Sequence, residues 1–122
     1  MDTRKDLRKA KRIVVKVGTS TITHETGKMN LFRMEKLVRE LAGLANEGKE
    51  IILVTSGAIA VGQDRMGLKE KPKAIPARQA LAAIGQGILM HVYEKLFAEY
   101  GQTAAQVLLT KENSARHHQY MN

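Results

Sequence analysis

The sequence predicts an α/β fold, a three-layer α/β/α arrangement around a mostly parallel sheet, with three strands in these 122 residues. Two observations carry that prediction. Short apolar, β-branched runs at residues 12–17, 51–55 and 103–110 alternate with longer segments of helical period. Strands that alternate with helices form parallel sheets covered on both faces. In addition, the first two runs end in small polar turns, Gly18-Thr19-Ser20 and Thr55-Ser56-Gly57. Ligands of such sheets bind outside the carboxyl ends of the strands.

The chain is organised around residues 51–62, IILVTSGAIAVG. Four apolar residues break at Thr55-Ser56-Gly57 and resume as Ala58-Ile59-Ala60-Val61, the pattern of a buried strand, a tight turn and the first turn of a helix. A strand running straight into a helix presents free backbone N–H groups, and these bind anions. Gly57 lets the backbone approach a ligand closely, and Ser56 adds a hydroxyl. Taken alone, the segment fits equally a plain Ser56 helix cap with Gly57 as a turn residue.

The first run, RIVVKV over residues 12–17, reads as a parallel strand. Lys16 is its anomaly, because a buried ammonium needs an anionic partner. Either the period-2 alternation puts Lys16 on an exposed face, or it pairs with a carboxylate, or it meets a phosphate at the strand's carboxyl end. Gly18, Thr19 and Ser20 would supply amides and hydroxyls for the same phosphate.

Residues 21–29 read as a polar loop, in which His24 is a solvated residue rather than a base. Asn30 caps the next helix, whose Leu31, Met34, Leu37, Val38, Leu41, Leu44 and Ala45 form one apolar stripe. Gly48 stops it. Strand, helix, strand is a βαβ unit, so residues 12–17 and 51–55 should run parallel. A short helix then reaches about Met66. A polar connector follows over residues 67–73, and Pro76 opens a long helix over residues 77–100. Gly85 and Gly87 weaken that helix; they mark either close packing or room for a substrate or partner. Residues 103–110 read as the third strand, and residues 111–114 as the start of another helix. His117 and His118 are adjacent, point to different faces of a helix and make a poor metal pair.

Composition removes several function classes. The chain has no cysteine, so disulfides and thiolate metal sites are ruled out. Apolar runs are too short to span a membrane, and the charged N-terminus lacks a signal core, which makes the cytoplasm the expected compartment. Residues 1–12 hold six basic and two acidic residues, half of the net charge of +8. The two Phe and three Tyr are not interleaved with the basic residues, as a single-strand nucleic-acid binder requires. Neither GxxxxGK[ST] nor GxGxxG occurs. Glycines, hydroxyls and one lysine at a shared sheet edge favour an anionic small molecule.

Three motifs in order, VVKVGTS, VTSGAIAVG and RQALAAIGQ, make the chain resemble the glutamate 5-kinases, the γ-glutamyl kinases of the amino acid kinase family. The resemblance runs from Arg12 to the end, so residues 1–11 are read as a basic tail and residues 12–122 as the N-terminal portion of an amino acid kinase domain. The kinase half of the bifunctional pyrroline-5-carboxylate synthases shares these motifs.

The resemblance implies ATP-dependent phosphorylation of the γ-carboxylate of L-glutamate, the first step of proline synthesis, with magnesium accompanying ATP. By the same resemblance Lys16 contacts the ATP phosphates and stabilises the transferring phosphoryl group. Gly18 and Thr19 form the phosphate-side loop. Ser56, Gly57 and Ala58 bind the acceptor substrate. Homo-oligomer formation through the long helix and feedback inhibition by proline are family expectations. Members of the family are well over twice this length. The aspartates here are Asp2, Asp6 and Asp64, none at a strand end. The chain is therefore expected to be an incomplete, inactive piece of a kinase. The alternatives are the kinase half of a bifunctional pyrroline-5-carboxylate synthase, a non-catalytic small-molecule-binding module and, ranked well below the kinase, a nucleic-acid binder using the basic tail.

Overall fold

A computed structural model describes residues 8–107. Two six-residue strands, β1 (Arg12–Val17) and β2 (Glu50–Thr55), pair in parallel, from Arg12 opposite Glu50 to Val17 opposite Thr55. Four helices follow or separate them: α1 (Thr19–Ile22), α2 (Leu31–Asn46), α3 (Ala58–Arg65) and α4 (Ile75–Glu99).

The sheet alternates strictly. Ile13, Val15 and Val17 turn toward the core with Ile51, Leu53 and Thr55, while Val14, Lys16, Ile52 and Val54 are exposed. Val15 and Leu53 pack on the cluster of Val17, Ile22, Met34, Val38, Val61, Leu89 and Tyr93, so α2, α3 and α4 lie on that one side. The fold is α/β as expected, and among the described residues the helices cover one face of the sheet. Val14 keeps 60% of its surface and Ile52 45%, although both are as β-branched as the half-buried Ile13, Val15 and Ile51. Residue type alone cannot tell one strand face from the other; only the covering element does.

Helix α2 starts where Asn30 Oδ1 accepts the backbone N–H of Arg33 at 3.1 Å. It ends at Gly48, whose φ of 99° only glycine adopts freely. Met34, Val38, Leu41 and Ala42 form its buried stripe, at the spacing expected. Leu31, the first residue of the predicted stripe, is exposed instead. Helix α4 begins at Ile75, with Pro76 in its first turn, and buries Leu81, Gly85, Leu89 and Tyr93 at successive steps of four.

Two expectations need correction. Residues 19–22, read as loop, form one helical turn: the N–H of Thr23 reaches Thr19 O at 3.0 Å, its hydroxyl the same oxygen at 2.8 Å, and Ile22 is fully buried. Burying Ile22 pulls the chain inward directly after β1, which a polar composition does not reveal. Residues 102–107 carry no strand; the rest of the expected third strand, the helix over 111–114 and the His117–His118 pair lie outside the described residues. So does most of the basic tail, whose last residues are held by Lys49 Nζ on Arg8 O at 2.8 Å and Ala10 O at 2.6 Å.

Candidate functional site

The register brings the carboxyl ends of both strands together, and Ser56 N–H extends the ladder by one bond to Val17 O at 3.1 Å. Beyond that bond the backbone turns sharply. Gly57 adopts φ 106° and ψ 3°, a left-handed conformation costly for residues with a Cβ, and it is the N-cap of α3. Ser56 is therefore not the helix cap. The first backbone bond of α3 runs from Val61 N–H to Gly57 O at 3.0 Å. The N–H groups of Ala58, Ile59 and Ala60 precede it and have no partner within the helix. They carry the positive end of the helix dipole.

A cleft of about 480 Å³ opens at this turn, lined by Thr19, Thr55, Ser56, Gly57, Ala58, Ile59, Ala60, Gln63, Lys71 and Ala82. Of the six residues expected at the site, Thr19, Ser56, Gly57 and Ala58 meet here. Helix α1 delivers Thr19: a Cβ built on Gly57 would lie 3.5 Å from Thr19 Cγ2 and 3.3 Å from Ile22 Cδ1. Gly18 is the N-cap of α1, one residue back. Lys16 lies opposite Val54 on the exposed sheet face and does not line the cleft. Thr19 and Lys16, both expected on the phosphate side, thus divide between the cleft and the exposed face of the sheet beside it.

The turn is held from below by α4. Tyr93 is buried, and its hydroxyl lies 3.2 Å from Thr55 Oγ1. Burial raises the Tyr93 phenol above its ordinary value, and the bond to Thr55 opposes that rise. Behind the turn, α3 and α4 touch backbone to backbone at Gly62 and Gly85.

Gln63, Lys71 and Ala82 also line the cleft and lie outside both strand-end turns. Ile59 and Gln63 are four apart on α3, one above the other on a single helix face, so the helical period after Ser56 points to Gln63. Lys71 sits in an irregular connector and carries no such signal. A second cleft of about 540 Å³ shares Thr19 and is lined also by Ser20, Thr23, His24, Glu25, Asn30 and Arg33.

The amino acid kinase family profile matches residues 11–121. The chain belongs to the amino acid kinase family. Within that family it is 58% identical over 116 residues to "Glutamate 5-kinase" of Moorella thermoacetica, covering 95% of this chain and 31% of that protein. It is 62% identical over 111 residues to the protein of the same name from Thermoanaerobacter pseudethanolicus, covering 91% of this chain and 30% of the relative. Against "Glutamate 5-kinase" of Clostridium tetani the identity is 61% over 107 residues, 88% of this chain and 40% of the relative. This amino acid kinase chain thus spans about a third of the length of the curated relatives it matches.

Proposed function

We propose that the chain forms the acceptor- and phosphate-side part of a cytoplasmic kinase that transfers the γ-phosphoryl group of ATP to the γ-carboxylate of L-glutamate, opening proline synthesis. The observation that carries this reading is the Ser56-Gly57-Ala58 turn. It sets a hydroxyl and free amides at a strand end, inside a cleft, in a chain similar to proteins named glutamate 5-kinase.

The chemistry asks little beyond positioning and charge neutralisation. A carboxylate nucleophile is already ionised near neutral pH, so no general base is required. The amides of Ala58–Ala60 and the Ser56 hydroxyl hold the acceptor carboxylate. Gly18, Thr19 and Lys16 offer donors and a cation to phosphate oxygens, stabilising charge that develops during transfer. ATP phosphates suit this set of donors. Magnesium would offset phosphate charge when bound with the nucleotide. Among the described residues no three His, Cys, Asp or Glu side chains gather into a ligand set for it.

The test is a chimera in which this chain replaces the matching third of the Moorella thermoacetica protein. ATP- and glutamate-dependent acyl phosphate, trapped by hydroxylamine, is the expected product. Lys16→Ala or Ser56→Ala should each lower turnover by about 10²-fold or more. A folded chimera that makes no trapped product sinks the proposal. The 122-residue chain alone should make none.

A further inference from the structure

The cleft at the Ser56 turn contains a charge that neither strand supplies. Lys71 is the one charged side chain lining it among the described residues, and no ion pair there involves Lys71. Its connector is anchored to α3: Leu68 N–H donates to Gln63 O at 3.0 Å, and Gln63 Nε2 returns a bond to Leu68 O at 3.2 Å. Gly67 N–H closes the same turn on Asp64 O at 3.0 Å. Pro72 is half-buried, and α4 starts only at Ile75. A short connector, bonded to α3 where it starts and followed closely by α4, places Lys71 at the cleft, and Gln63, its anchor, lines that cleft too.

We propose that Lys71 is a specificity-determining residue that recognises a carboxylate of the acceptor substrate. This inference rests on the proposed function. The free amides of α3 and the Lys71 ammonium both favour negative charge, and no acidic side chain lines the cleft to offset them. A substrate with two carboxylates meets one cationic partner on the helix and another on the connector. An ammonium is a point charge with three donors, so arginine should retain the attraction and methionine should lose it.

The experiment titrates L-glutamate into the folded chimera described above, carrying the wild-type, Lys71→Met or Lys71→Arg chain, and follows the backbone amide resonances of residues 57–60. In the wild-type chain these should shift. Lys71→Met should raise the dissociation constant about three- to tenfold, and Lys71→Arg should hold it near the wild-type value. Raising salt should weaken wild-type binding toward that of the methionine variant, because an exposed charge is screened. Equal binding by the wild-type and methionine chains overturns the role of Lys71 and leaves the substrate reading standing. No glutamate-dependent shift in any of the three chains overturns both.

Discussion

The carbonyl oxygen of Ala58 lies where a side chain on Gly85 would begin: a Cβ built there would be 1.6 Å from it and 2.8 Å from Gly62 N. Ala58 is the first residue of α3 and Gly85 the middle of α4. A glycine that only weakens an isolated helix here lets a second helix backbone press against the start of the first. The position of the α3 amides thus depends on a residue 27 places further along the chain.

Gly85→Ala should therefore push α3 and α4 apart and destabilise the chain by about 1–3 kcal/mol, the usual range for overpacking. Gly87→Ala is the matched control. Nothing lies within 4 Å of a Cβ at Gly87, so alanine there should stabilise the helix by about 0.5–1 kcal/mol. Urea unfolding of both variants reads the difference. Equal effects would mean that the close contact is not rigid.

Gly57 separates backbone strain from crowding. Its φ of 106° penalises any Cβ, by about 1–3 kcal/mol for a non-glycine residue. The steric part is small, because the nearest atom, Ile22 Cδ1 at 3.3 Å, ends a side chain that can yield. Gly57→Asn should cost less than Gly57→Ala, since asparagine tolerates left-handed backbone better. Denaturant midpoints in the reverse order would show that crowding rules the site.

Much of this architecture is legible in the sequence because its signals are local. The stripe of Met34, Val38 and Leu41, the Asn30 cap, Pro76 in the first turn of α4 and the Ser56-Gly57 break all rest on residues within a turn or two of each other. What stays hidden is set by partners distant in sequence. Ile22 turns residues 19–22 into a helix by packing beneath Gly57. Val14 and Ile52 look like core and are exposed, because the covering helices lie on the opposite face. In the site, the strand-end residues Ser56, Gly57 and Thr19 are readable from turn chemistry. Lys71 is not, since a lysine in a polar connector has no periodicity to betray where it returns.

Asn30→Ala removes the single side-chain acceptor at the start of α2. Loss of such a cap typically costs about 1 kcal/mol. Asn30→Asp should restore it or better it, because its negative charge also meets the positive helix end. Thermal midpoints of the three chains check the order: aspartate at or above asparagine, with alanine lowest.

Tyr93 gives the fold a dependence on alkaline pH. Its phenol is raised above 10.0 by burial, against the opposing bond to Thr55. In the unfolded chain the same phenol ionises near its ordinary value of about 10. The unfolded state thus loses this proton first as pH rises. The stabilisation from Tyr93 is complete below about pH 10 and is lost as pH climbs from there through the raised folded value. Tyr100 is raised too, by its hydrogen bond to Glu35, and adds in the same direction. Tyr93→Phe removes one titration and the contact with Thr55, costing about 0.5–1.5 kcal/mol near neutral pH. Between about pH 9 and pH 11 the wild-type chain should lose more stability than the phenylalanine variant, so the gap between them should narrow. Urea midpoints measured across that range decide it. A gap that stays constant would mean that the Tyr93 hydroxyl titrates as it does in water, and that the turn beneath Ser56 is open to solvent.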